Sequence, residues 1–319
     1  MHALRLWTRH AEFDDPGVPS GREMLNFFLR DDVYQRYAGK GTPPLLTIEE
    51  EGVRLRSYDD SYPFRTTSSY HQDDHLATLA ETGVPLDTAL LTRQGEAQVG
   101  DLLRASLLSY HPQRHESDWT IISYARYAFP LLSWRNRYGE QIDCQQMVDE
   151  LIDRPLDVGP CNGLHRLEAL VVLYRVDQEA GGVLPRGTRN RIVEHMQRVS
   201  GLLVESQHRD GFWTRSWPRG AEAAEDTGAD VGERVLVTGH HLEWLALAPA
   251  EVLPPRENLV RAGQWLTRAL LEMDPRGLHR RYGPYSHAGR ALSYWRGKEA
   301  WQAWLEGRRA FADGGSSDS

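Results

Sequence analysis

Five clusters of residues able to carry protons or bind metal recur along the chain, each beside an apolar, helix-like segment. They are His71-Gln72-Asp73-Asp74-His75, Glu116-Ser117-Asp118-Trp119-Thr120, Cys161-Asn162-Gly163-Leu164-His165, Thr238-Gly239-His240-His241-Leu242-Glu243 and Ser286-His287. Cys161 and His165 stand four residues apart, a spacing that puts two side chains on one face of a helix. A thiolate and an imidazole so placed, joined by His240 from another helix, give the mixed sulfur and nitrogen set that suits zinc. Cys161, His165 and His240 are therefore the candidate zinc ligands, with Asp118 or His241 nearby. The plainer alternative is a small buried thiol and a core histidine with a local hydrogen bond.

Asp73, Asp74, Asp118 and Glu243 are the candidate carboxylates for acid–base work, with His240 and His241 as imidazole partners. Each carboxylate stands at or near an expected helix start, where the helix dipole favours the ionised form, so each suits a base or a ligand better than an acid. Asp is also a frequent N-cap, and that reading competes most strongly at Asp118. His240 and His241 are adjacent, so their rings project to different sides and at least one should face the site. Trp119, Trp213, Trp217, Trp244, Tyr285 and Tyr294 suit the wall of a pocket for sugars or cations, or plain core filling. Arg166, in an apolar segment, is expected to pair with Glu168 or Glu243.

The elements that must position these groups follow from apolar periodicity. Helices are predicted over Gly21 to Tyr37, Asp73 to Glu81, Glu96 to Tyr110, Asp118 to Phe129, Asp143 to Ile152, Asn162 to Val176 and Thr188 to Gln207. Four more are predicted over Gly239 to Ala248, Arg256 to Glu272, His287 to Trp295 and Lys298 to Phe311. Residues 41 to 66 read as short strands or an extended lead-in. Segments apolar all round alternate with single-striped ones, the order of inner and outer helices in a barrel of hairpins. Three of the four separations between inner starts are roughly 45 residues, a two-helix repeat. The long one contains the acidic stretch from Gly220 to Gly232, read as a loop insertion and a candidate lid.

The 319 residues suffice for one closed helical barrel. A net charge of −8 argues against a broad nucleic-acid surface, and two cysteines cannot frame a disulfide scaffold. No apolar run approaches a membrane span. A soluble, cytoplasmic protein is expected. Phosphate-loop, Gly-x-Ser-x-Gly and His-Glu-x-x-His motifs are absent.

Glu205-Ser206-Gln207-His208-Arg209-Asp210-Gly211-Phe212-Trp213 resembles the QW motif of the terpenoid cyclase and protein prenyltransferase superfamily. Arg261 to His279 resembles a degraded second copy, with Met273 in place of the Gln and Gly277-Leu278-His279 in place of Gly-x-Trp. The resemblance implies an all-α α/α-toroid of about five to six helical hairpins whose inner helices line a central cavity. On that reading residues 1–66 form a lead-in, 67–311 the toroid and 312–319 a frayed tail. The family's Asp-x-Asp-Asp motif is missing, and Cys161 has Gly159 where the Asp-x-Cys zinc pair would have Asp. Thr238 to Glu243 also resembles a short segment of N-acylglucosamine epimerase-like (α/α)6 barrels. Three functions stay open. One is an enzyme acting on a small or lipid-like molecule in the cavity, with zinc. The second is a carbohydrate-active isomerase or hydrolase. The third is a non-catalytic toroid that binds a ligand or a protein.

Overall fold

The computed structural model describes residues 1–39, 41–56, 71–112, 116–274, 276 and 281–314. Its order begins with α1 (His2–Trp7), α2 (Gly21–Leu29) and α3 (Asp31–Ala38), then the hairpin β1 (Leu46–Glu49) and β2 (Gly52–Leu55). A unit of helix, β-hairpin and helix follows twice. The first is α4 (Asp74–Glu81), β3 (Ala89–Thr92), β4 (Gly95–Gln98) and α5 (Val99–Ser109). The second is α6 (Asp118–Tyr127), β5 (Ser133–Arg135), β6 (Gln141–Asp143) and α7 (Cys144–Asp153). Then come α8 (Leu164–Glu179), α9 (Arg186–Ser206), α10 (Val231–Leu247), α11 (Arg256–Leu271), α12 (Tyr282–Arg296) and α13 (Ala300–Gly314). The described fold is thus mostly helical, with three small antiparallel hairpins.

Apolar pattern decides which helices lie inside. In α8 every residue from Leu164 to Tyr174 is buried, whereas α11 buries only Asn258, Ala262 and Leu266. A helix buried on all sides needs neighbours on all sides, and a single stripe needs one. Accordingly α4 packs on α6, α6 on α8, α8 on α10 and α10 on α12, while α1 packs on both α12 and α4. Helices α5, α7, α9, α11 and α13 pack against this set from outside. Where a strand runs straight into an outer helix, a capping box marks the junction: Gln98 with Asp101 for α5, and Asp143 with Gln146 for α7.

Gln207 and Trp213 tie successive elements together. The Gln207 amide donates to the Gly211 and Asn258 carbonyls, at 3.0 and 2.8 Å, so the end of α9 is bound to the start of α11. Trp213 is fully buried, and its indole N–H donates to the Leu203 carbonyl at 2.9 Å. The expected second copy cannot be compared in full, because residues 277–279 lie outside the described set.

Several expectations are corrected. The helix predicted over Gly21 to Tyr37 is two helices, because Arg30 turns extended (φ −136°, ψ 116°) and bridges to Leu91. Residues Glu96 to Gln98, expected at the start of a helix, are in β4. The stretch from Gly220 to Gly232, read as a loop insertion, is one only in part: a 3-10 helix over Trp217–Glu225 packs on α9 and buries Trp217, Gly220 and Ala223, and residues 226–230 are an irregular connection to α10. Gly220 and Ala223 are buried there while Ala221 and Gly228 are exposed, so low apolar content concealed only the 3-10 part. Helix α10 begins at Val231, where Asp230 caps it, so the cluster from Thr238 to Glu243 sits in mid-helix rather than at a tip. Gly239 reads as a start signal but serves packing: a Cβ there would stand 2.9 Å from the Ala288 backbone nitrogen of α12. Helix α12 begins at Tyr282, so His287 is also inside a helix. Helix α13 continues to Gly314, into the expected tail. Residues 57–66 of the expected lead-in lie outside the described set.

Candidate functional site

Cys161, His165 and His240 do converge. One ligand atom from each lies within 4.8 Å of the other two. The route differs from the one expected for Cys161. It is not on the helix with His165 but in the turn before α8, where Cys161, Asn162 and Gly163 have φ of 47°, 56° and 72°. Left-handed backbone costs about 1–2 kcal/mol for each non-glycine residue. Two consecutive such residues at one thiol are a local strain of the kind found at functional sites. Gly163 is required in that turn, since a Cβ would stand 2.6 Å from the Leu156 carbonyl oxygen.

Arg166 holds the turn from behind. It pairs with neither Glu168 nor Glu243; its guanidinium donates to the carbonyls of Arg154, Pro155 and Val158 at 2.8, 2.9 and 2.5 Å. Free carbonyls of a tight loop outcompete a distant carboxylate because a guanidinium fork can satisfy three at once.

Four histidines crowd the site. The ring centroids of His165 and His240 are 5.0 Å apart, those of His240 and His287 3.7 Å, and those of His71 and His165 5.2 Å. Carboxylates face their Nδ1 atoms. Glu243 Oε2 lies 3.2 Å from His240 Nδ1 and 2.8 Å from His287 Nδ1, and Glu116 Oε2 lies 2.8 Å from His71 Nδ1. The Nε2 atoms of His165, His240 and His287 are buried and have no hydrogen-bond partner. Buried polar atoms are nearly always satisfied, so three unsatisfied imidazole nitrogens beside one thiol are a marked exception.

The electrostatics follow from burial and these neighbours. Burial pushes the Cys161 thiol up, and His165 and His240 more than reverse it, leaving it well below its ordinary value. Burial likewise raises Glu243, but His287, His240 and Arg290 hold it far below the usual carboxylate range. Asp118 goes the other way: burial first, then the Glu116 carboxylate, raise it to about 6. Asp118 is not the cap of α6, since Ser117 occupies that position.

Asp73 and Asp74 are already engaged. Asp73 accepts from the Ser106 and Thr120 hydroxyls at 2.9 and 2.6 Å, joining α4 to α5 and α6. Asp74 is paired with Arg5 at 2.6 Å; burial would raise it, but Arg5 brings it to about 2. His241 faces away from the cluster. It packs edge-on against Trp213 and Trp217, and its Nδ1 accepts from the Trp244 indole at 3.1 Å. Trp213, Trp217 and Trp244 are therefore wall to His241, not to the site, while the Trp119 ring lies 4.6 Å from His165.

Sequence reasoning missed Glu116, His71 and His287 as members, although each sits in a cluster it singled out. It also missed Arg5 and Arg290. Arg290 reaches Glu81 and Glu168, stands 3.8 Å from Glu243, and lies with them among the buried groups between the core helices. An isolated arginine in an apolar helix is the one signal that could have flagged it. The space expected as a central cavity thus holds these charged side chains. A surface cleft of about 750 Å³ lies elsewhere, lined by Arg234, Trp265, Arg268, Arg281, Tyr285 and neighbours, and shares no lining residue with the histidine cluster. Cys161 and His71 are the partly exposed members of the cluster and mark its outer end.

No helix among the described residues is long and apolar enough to cross a membrane. No protein-family model, no curated protein and no solved structure matches the chain.

Proposed function

We propose that this chain is an α/α-toroid enzyme that binds a zinc-type ion through Cys161, His165 and His240 and acts on a small polar molecule at that ion. The carrying observation is the convergence of these three ligands, with Nε2 of both histidines buried and unpartnered. The succession of packing from α4 through α12, with α1 between α12 and α4, supports the toroid. The bonds of Gln207 and Trp213 agree with the role of a QW motif.

The residues fit the ion. A thiolate and two imidazoles are a zinc set with one position left over, and a carboxylate on the far nitrogen is the usual way a ligand histidine is oriented. Glu243 does this for His240. An ion held so supplies Lewis acidity to a bound water or carbonyl. Asp118, raised to about 6, is suited to take or return a proton near neutral pH. Trp119 and the buried helices keep bulk water out. A centre filled by Arg5, Glu81, Glu168 and Arg290 favours a polar reactant over a lipid-like one.

The test is cobalt(II) loading of the metal-stripped protein. A thiolate-to-cobalt absorption band should form in the wild type and be lost in Cys161→Ser and His240→Gln. Purified protein carrying under about 0.1 zinc per chain, with no such band on loading, would remove the proposal. A band without turnover of any small molecule would leave a non-catalytic metal-binding toroid.

A further inference from the structure

His165 poses a problem that one ion does not solve. Its side chain is 2 % exposed, and neither ring nitrogen has a hydrogen-bond partner. A neutral imidazole carries one N–H donor and one acceptor, so both are wasted in a dry site. An ion shared with Cys161 and His240 satisfies one nitrogen only. Its Nδ1 faces Glu116 Oε1 across 3.7 Å, and that oxygen is also buried without a partner. The gap exceeds a hydrogen bond. Two ligands on one ion at about 2.0–2.1 Å with an angle near tetrahedral stand about 3.3–3.4 Å apart, so closing the gap by a few tenths of an ångström would seat an ion between them. His71 completes the set: His71, Glu116 and His165 each place a ligand atom within 4.8 Å of the other two.

We infer that the site is dinuclear, with a second divalent ion of zinc type held by His71, Glu116 and His165, and with the His165 imidazole bridging the two ions. This rests on the zinc reading above. The ligand chemistry of the second site is two nitrogens and one carboxylate oxygen, a common zinc set with room for water. Its balance is simple. His165 gives up its remaining ring proton to solvent and becomes an imidazolate, so its negative charge lies between the two cations. Glu116 Oε1 then gains the partner it lacks. Both sites reach the outer end of the cluster, the first through the partly exposed Cys161 and the second through His71.

Stoichiometry decides it. Metal-stripped protein titrated with zinc alone should take up about two ions per chain, and with cobalt(II) should show the thiolate band at the same time. Glu116→Gln and His71→Gln should each fall to about one ion while keeping the band, since Cys161, His165 and His240 are intact. Circular dichroism identifies a variant that fails to fold, and the other variant then decides. One ion in the wild type with the band present would overturn the second site and leave the first standing. Two ions retained in a folded Glu116→Gln or His71→Gln would also overturn it. Absence of both ions and band would overturn the zinc reading itself.

Discussion

Charge is buried in two neighbouring regions of this molecule, and they are balanced differently. Around Arg5 and Arg290, guanidinium meets carboxylate. Arg5 is bonded to Asp74 and Glu81, and Arg290 to Glu81 and Glu168, from α1, α4, α8 and α12. Around Cys161, imidazoles meet a thiol, and three Nε2 atoms have nothing to bind. The first region is a tie between helices whose opposite charges offset each other, although Arg290 Nη1 and Glu168 Oε2 are buried there without a hydrogen-bond partner. The second is organised but incomplete. Burial alone does not mark a functional site; burial with an unsatisfied, convergent set of ligand atoms does.

The largest effect should come from breaking the paired region. Arg290→Met leaves Glu168 in the core without a cation and Glu81 with Arg5 alone, and a loss of roughly 3–5 kcal/mol is expected in denaturant unfolding. A loss under about 1 kcal/mol would mean the pairing is not a structural tie. Next is pH. Burial holds His75 at about 4 against an ordinary 6.5, and its ring packs edge-on to Phe28. The unfolded chain takes up that proton first, so the contribution is full above pH 6.5 and is lost as pH falls from 6.5 towards 4. It amounts to about 3 kcal/mol, and His75→Phe should flatten that part of the stability–pH curve by this amount.

Two smaller effects sharpen the contrast at the incomplete region. Gly163→Ala forces a Cβ onto the Leu156 carbonyl in a left-handed turn, at a cost of about 1–3 kcal/mol. Because the turn carries Cys161, the cobalt thiolate band should weaken in a protein that still melts cooperatively. Unaltered cobalt affinity would show that the strained turn does not place the sulfur. His241→Phe is the mildest. It removes the acceptor of Trp244 and should cost about 1–2 kcal/mol while metal uptake stays unchanged, whereas His240→Gln abolishes the band. Equal effects of the two on metal would erase the distinction between the neighbouring rings.

The helices were largely legible, because their apolar periods are long and regular. Helix α8 falls within two or three residues of its expected bounds, and α11 within one. The hairpin β3–β4 was not legible, since Glu96 to Gln98 run into the amphipathic pattern of α5 without a break. The cluster members were legible by type, and Cys161, His165 and His240 by proposal. Which of two adjacent histidines belongs was not, nor that Asp74 is spent on Arg5. The identity of a partner 69 residues away has no local signature.

Composition and period by themselves determined that alternate segments bury all sides or one side, because a helix must match its apolar surface to the neighbours available. They also determined which residue types could bind metal. Only tertiary packing decided that α1 stands between α12 and α4, that Arg166 serves the loop behind Cys161, and that Glu116 and His71 complete the approach to His165. Those outcomes depend on distances of a few ångströms between segments far apart in the chain, and such distances are fixed when the whole core packs, not by any one stretch of it.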